Sequence, residues 1–325
     1  MPSGRKKVTV QYRKLDDIGS RFGGRTLQDA LTNSVKSISD GTVFGDVPRA
    51  RHFDDPNYGT ILLNTFHDEP FGFFGELVRF EPGADLPLLE VAPGARAYNL
   101  TQARAPDGHE PVRGLLYFMT YRNHMLVIEA DMSTSRAERY LSWLLSEATN
   151  VLPAPLHVVL AAELSPDAAT ARLSRVDEVI FRPSPVRSPD PPRTDEFVPV
   201  VRTTSREVEE SNAFRVLRAA GMDDVDIRTL AQGETELEVT LQIKFRARGR
   251  RRPVGIEDAN RLLRNVPEDQ ITLHGNGSRQ KEGRIVKLSY AANVECVGSL
   301  LKPSDVRRAL HEAFKYFVSN GYIDG

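Results

Sequence analysis

The sequence predicts an α+β fold: mixed strands and helices with several hairpins, in two sub-domains joined by a proline-rich linker. Three observations predict it. Strand-patterned and helix-patterned segments are interspersed without regular βαβ alternation. Several strand pairs lie close enough in sequence to form hairpins. Residues 183–199 hold Pro183, Pro185, Pro189, Pro191, Pro192 and Pro199 among Ser, Asp and Arg. Such a stretch neither sustains a helix nor pairs as a central strand. It reads as an extended linker between an N-terminal α+β domain (1–182) and a C-terminal α+β domain with a basic strand (200–325). A long surface loop within one domain is the alternative. At 325 residues the chain is long enough for two domains.

Each element has a local reason. "KVTVQYRKL" alternates as a strand. "TLQD" has the form of a capping box at Thr26, and Leu27, Leu31, Val35 and Ile38 follow at helical spacing. "GTILLNTF" and "FGELVRFEPG" read as strands. "GLLYFMTY" and "MLVIEA" flank Arg122, Asn123 and His124 as a hairpin. Ser135 and Glu138 suggest a second capping box, ahead of a helix whose apolar face is Ala137, Leu141, Leu144, Leu145 and Ala148. "HVVLAAEL" and "VDEVIFRP" are further strands. Beyond the prolines, "REVEESNAFRVLRAAG" is amphipathic. "ELEVTLQIKFRAR" alternates, with Leu237, Val239, Leu241, Ile243 and Phe245 on one side. "GIEDANRLLRNV" is a short helix. "QITLHG" and "GRIVKLSYAANVEC" are strands around a polar turn. The last helix buries Val306, Leu310, Phe314 and Phe317 and stops at Asn320 and Gly321.

Composition narrows the function. No apolar run approaches membrane-spanning length, and no apolar segment with a cleavage site follows the basic "MPSGRKKVTV". The single cysteine, Cys296, excludes an internal disulfide and a cysteine-based metal knuckle. It reads as a structural thiol. The expected compartment is the cytoplasm.

Charge is the most informative feature. The chain carries a net charge of −1, yet six of the nine residues from Lys244 to Arg252 are Lys or Arg. From Ile243 to Lys287 there are twelve basic and five acidic residues, whereas Ser205 to Glu238 holds four basic and nine acidic. Clustered like charge repels itself unless a polyanion offsets the cost. A solvated loop is the plainer alternative. On an alternating strand Lys244, Arg246 and Arg248 share a face at intervals of about 7 Å. Phe245 anchors the other face, and Arg250, Arg251 and Arg252 fall in a turn before Pro253. This arrangement suits a phosphate backbone better than base edges. Arg279, Lys281 and Arg284 sit on a turn expected to fold beside the first, and with Lys287 they form a second rank. "GRKK" near the N-terminus is a further patch or a frayed end.

Catalytic signatures are sparse. "RFGGRT" lacks the spacing and ending of a phosphate loop, and the seven histidines show no metal-ligand spacing. His124 reads as a turn residue, and "HDEP" at His67, Asp68 and Glu69 as a polar loop or, less readily, metal ligands. Trp143 and Tyr140 are assigned to packing. One enzymatic pattern stands as an alternative: Asp224 and Asp226 upstream of Gln242-Ile243-Lys244, as in some metal-dependent nucleases. A protein-interaction module with an acidic partner is another. Neither a cofactor nor a metal is expected.

The order of elements resembles the RexA family of prophage exclusion proteins. The resemblance lies in "LQIKFRARGRRR", "IEDANRLLRNV", "ITLHGNGSRQKEGRIVKLSY" and "SDVRRALHEAF", and upstream in "GLLYFMTYRNHMLVIEADMSTSRAERYLSWLL". It spans residues 112–325 and rests on pattern rather than on a catalytic signature. It implies a cytoplasmic, non-enzymatic protein that binds double-stranded DNA as a homodimer. It further implies a role in abortive infection and antiviral defence, and a separate RexB-like membrane-protein partner. By the same resemblance the fold is related to the RdgC type, which encircles DNA as a dimer.

Overall fold

The structure, a computed structural model, describes residues 3–17, 19–39, 41–55, 58–83, 86–90, 99–103, 105–163, 175–182, 186–187, 236–237, 240–247, 250–251, 253–255, 258–259, 263–266, 270–275, 281–283 and 287–323. It is an α+β protein of antiparallel sheets. β1 (Ser3–Leu15) is the first alternating strand. Thr26 then caps α1 (Leu27–Lys36) in the anticipated capping box: its hydroxyl accepts the Asp29 N–H at 3.1 Å, and Asp29 accepts the Thr26 N–H at 3.2 Å. Leu27, Leu31 and Val35 are buried, but Ile38 lies past the helix in β2 (Ile38–Ser39) and is exposed. β2 pairs with β3 (Thr42–Val43).

β4 (His52–Asp55), β5 (Gly59–Glu69) and β6 (Gly72–Phe80) form a meander. "HDEP" is therefore the end of a strand, where Asp68 accepts from Lys36 and Thr32 and Glu69 pairs with Arg307. β7 (Leu86–Glu90) and β8 (Asn99–Ala103) make a separate ribbon. β9 (Val112–Tyr121) and β10 (His124–Ala130) are the expected hairpin, with Arg122 at φ 51°. His124 belongs to β10 rather than the turn, and its buried ring meets the Tyr12 hydroxyl at 2.6 Å.

α2 (Thr134–Trp143) continues as a π-helical turn over Leu144–Ala148. Its N-cap is Ser133, without a side-chain cap bond. The capping box expected from Ser135 and Glu138 does not form, because Glu138 points inward and is buried. β11 (Leu160–Ala162) and β12 (Arg175–Phe181) follow.

Within the proline-rich stretch, β13 (Val186–Arg187) pairs with β14 (Glu236–Leu237). The remainder of that stretch and the amphipathic segment after it lie outside the described residues, as does much of the short helix expected at 255–266. Next come β15 (Leu241–Lys244), β16 (Arg246–Ala247), β17 (Arg250–Arg251), β18 (Val254–Gly255), β19 (Ile271–Gly275) and β20 (Lys281–Gly283). β21 (Ser289–Val297), β22 (Leu300–Leu301) and α3 (Pro303–Ser319) complete the chain. The C-terminal stop is as expected: Gly321 takes φ 73°, and the Tyr322 N–H reaches the Phe317 carbonyl at 2.9 Å.

A nine-stranded sheet runs β22-β21-β1-β10-β9-β6-β5-β4, with β11 beside the end of β1. Both faces are covered. α1, α2 and the π-turn bury Leu63, Phe73, Leu116, Phe118 and Val127 on one side. α3 buries Val10, Tyr12, Phe74, Tyr117, Met119 and Leu126 on the other. Successive residues thus enter opposite cores, which is why β9 and β10 read as unbroken apolar runs. Gly75 is needed where β6 crosses β9: a side chain there would strike the Phe118 ring. "GRKK" is no frayed end, since Arg5, Lys6 and Lys7 pair with Glu295, Val294 and Asn293 of β21.

Asp305, in the first turn of α3, accepts the Glu295 N–H at 2.7 Å and is held by Arg308. That backbone bond and Arg308 hold its carboxyl below the ordinary value of 3.8. Because the folded-state pKa is depressed, its contribution is complete at neutral pH and lost as pH falls through that depressed value. Asp305→Asn should therefore reduce the gap between urea midpoints measured at about pH 6 and about pH 3.

The sheets do not divide at the proline-rich stretch. β21, β22 and α3, expected in a C-terminal domain, complete the large sheet, because β1 needs a partner along Ser3–Gln11. β12, expected in the N-terminal domain, is central to a smaller five-stranded sheet, β15-β12-β19-β20 with β18 beside β12. Val176, Val179, Ala259, Leu263, Ile271 and Leu273 form its core. The two sheets meet at Arg264–Val266. Arg13 donates to the Arg264 carbonyl at 2.6 Å, Lys287 to the Val266 carbonyl at 2.6 Å, and Arg264 and Asn265 donate to Glu138 at 2.9 Å each.

Candidate nucleic-acid interface

β15 is an edge strand of the small sheet. Its register against β12 sets Lys244 opposite Glu178 and Gln242 opposite Ile180. Lys244 is exposed, as its position in the polar phase requires. The apolar phase departs from expectation. Leu241 is 39% and Ile243 40% exposed, so this face is not a core face; Phe245 is half-buried against the small core. β15 ends at Lys244, and the last bond to β12 is from the Phe245 N–H to the carbonyl of its in-register partner Asp177, at 3.2 Å.

Past Phe245 the chain forms a tight hairpin. Arg246 lies opposite Arg251 and Ala247 opposite Arg250, with residues 248 and 249 between the strands. Arg250 and Arg251 are thus on a returning strand, not in the expected turn. Two arginine positions directly opposed in a ladder repel, whereas unlike charges there attract. The hairpin, a two-stranded sheet of its own after β15, therefore brings three arginine positions together. Arg248 and Arg252 lie outside the described residues.

The second rank separates. Lys281, on β20, pairs with Gly275 of β19. β12 and β19 lie between β20 and β15, so these basic positions are on opposite edges, about 14 Å apart across three strand spacings. Arg279 and Arg284 lie outside the described residues. Lys287 does not belong to a surface patch. It is 8% exposed and donates to the Val266 carbonyl, a tether between the two sheets.

One polar row was not foreseen as a unit. Across three strands Lys244, Glu178 and His274 are direct neighbours. Glu178 is buried and accepts from the Gln242 amide. Among the described residues neither ring nitrogen of His274 finds a hydrogen-bond partner. The row brings Gln242 and Lys244 of the nuclease-like pattern beside a carboxylate, Glu178, that the sequence reading had not connected to them. Asp224 and Asp226 lie outside the described residues. Among the described residues no three His, Cys, Asp or Glu side chains are grouped so as to hold a metal ion, and no helix is long and apolar enough to cross a membrane.

Comparison of the chain with family models, curated proteins and solved structures gave no match.

Proposed function

We propose that this protein binds double-stranded DNA with little sequence preference, through Lys244, Arg246, Arg248, Arg250, Arg251 and Arg252. In this reading it is a homodimeric, cytoplasmic, non-enzymatic exclusion factor of the RexA type that works with a membrane-protein partner. The observation that carries the DNA reading is the hairpin register. Arg246 opposite Arg251, beyond an exposed Lys244, costs stability in the free protein. A phosphate backbone offsets that cost and needs no base-specific side chains. Lys281 supplies a weaker second contact from the opposite edge, and Arg279 and Arg284, close to it in sequence, add to it.

Labelled duplex DNA, with and without Mg²⁺, tests the reading. A mobility shift without cleavage, indifferent to chelator, is the expected result. Metal-dependent cleavage would transfer the surface to the nuclease alternative. With about six phosphates neutralised, log K should fall against log salt with a slope near −5. A slope between about 0 and −1 would exclude this segment as the main contact.

A further inference from the structure

α3 does not cover its whole face of the large sheet. Between its N-terminal end, β22 and the outer strands β5, β6 and β9 lies a cavity of about 490 Å³, within the usual range for small-molecule sites. Its lining is mostly apolar, and Val112, Val297 and Leu300 are about half exposed around it. Its polar lining is Asn64, Tyr117, Lys302 and Glu76, of which Glu76 is only 6% exposed.

Glu76 is held by a local irregularity in the sheet. β5 carries a bulge between Leu63, opposite Leu77, and Thr65, opposite Glu76. The extra residue, Asn64, and Thr65 therefore both face one carboxylate. The Asn64 amide donates to Glu76 Oε2 at 2.8 Å and the Thr65 hydroxyl at 3.1 Å. The Tyr117 hydroxyl also bonds to Glu76. Burial and the neighbouring carboxylate push its pKa up, so it stays protonated and donates.

These three donors are neutral, and a carboxylate has capacity for about one more. Among the described residues no lysine, arginine or histidine forms an ion pair with Glu76. Lys302, at the rim, is engaged by Glu295 at 3.0 Å. A carboxylate removed from water is costly unless a cation or a full set of donors meets it. Here the remaining side of the carboxylate belongs to an open cavity with apolar walls.

We propose that this pocket binds a small organic cation, an ammonium group on an apolar body, with Glu76 as its counter-ion. The apolar body occupies the space ringed by Val112, Val297 and Leu300. The site lies on the large sheet and is independent of the DNA reading.

Titration calorimetry with hexylamine, using 1-hexanol and hexanoate as neutral and anionic counterparts at neutral pH, tests the proposal. The ammonium should bind at least ~10-fold more tightly than the alcohol, the advantage of a charge-assisted over a neutral hydrogen bond. Hexanoate should not bind. The near-isosteric Glu76→Gln should erase the preference for the amine. Val112→Ser with Leu300→Ser, at half-exposed positions that leave the fold alone, should weaken amine and alcohol alike. Alcohol binding as tight as amine binding, or a preference surviving in Glu76→Gln, overturns the proposal. So does a protein that admits none of the probes, whether or not it self-associates through this rim.

Discussion

Replacing Arg246, Arg248 and Arg250 together by Glu should abolish duplex binding, with a loss of ~100-fold or more in affinity at moderate salt. Each substitution removes one phosphate attraction and installs one repulsion, so the effects compound along the segment. The hairpin register adds a signature that a generic loss of positive charge lacks. Arg246→Glu alone sets a carboxylate opposite Arg251, turning a repulsive cross-strand pair into an attractive one. That single variant should melt no lower than the parent, within the ~0.5 kcal/mol typical of surface changes, while binding DNA more weakly. Phe245→Ala should show the reverse: weakened stability through the small core, with the positive charges intact. Because Phe245 is only half-buried, its loss should fall below the ~3–5 kcal/mol of a fully buried phenylalanine. Gel shifts and thermal melts on the three variants decide the matter. If the triple Glu variant binds with parental affinity, the basic segment is a solvated loop or a protein contact.

The local signals in the sequence were read well where one element decides its own form. The Thr26 capping box, the Arg122-Asn123 hairpin and the stop at Gly321 each depend on a few adjacent residues, and each stands in the structure. Misreadings arose where a distant element decides. Glu138 has the spacing of a capping residue, but Arg264 and Asn265, more than a hundred residues on, draw it inward. Lys287 reads as one more surface cation, but it is buried and donates to the Val266 carbonyl. The proline-rich stretch marks a boundary in composition, but strand pairing across the whole chain length overrides it, since β1 finds its partner in β21. Leu241 and Ile243 alternate like a core face, yet a strand at a sheet edge need not be packed over. The Glu76 pocket left no trace in the pattern, because it depends on a bulge that moves Asn64 onto a neighbouring strand's carboxylate.

Glu138→Ala should destabilise the protein by about 3 kcal/mol, the lower end of the cost of breaking a buried ion pair. Its side chain is almost fully buried and serves three donors from two segments. It accepts the Leu160 N–H at 2.7 Å, the Arg264 guanidinium at 2.9 Å and the Asn265 amide at 2.9 Å. Truncation leaves those donors without their acceptor. Arg264 remains partly exposed, so water recovers part of the loss, which is why the lower end applies. Arg264→Ala should cost a similar amount, because it strands the buried carboxylate instead. The double variant should cost less than the sum of the singles by roughly 1–3 kcal/mol, as residues sharing one network do. Urea unfolding of the four proteins gives these numbers directly. Limited proteolysis gives the structural counterpart: with Glu138 gone, cleavage near Arg264–Val266 should appear well below the melting temperature, while the large sheet resists. A loss under about 1 kcal/mol for both singles would mean that the small sheet is not docked through Glu138. The Lys287 and Arg13 tethers to the same segment would then carry the junction alone. Duplex binding, measured below the melting temperature, should survive Glu138→Ala, because the hairpin from Arg246 to Arg251 closes through its own ladder and not through this junction.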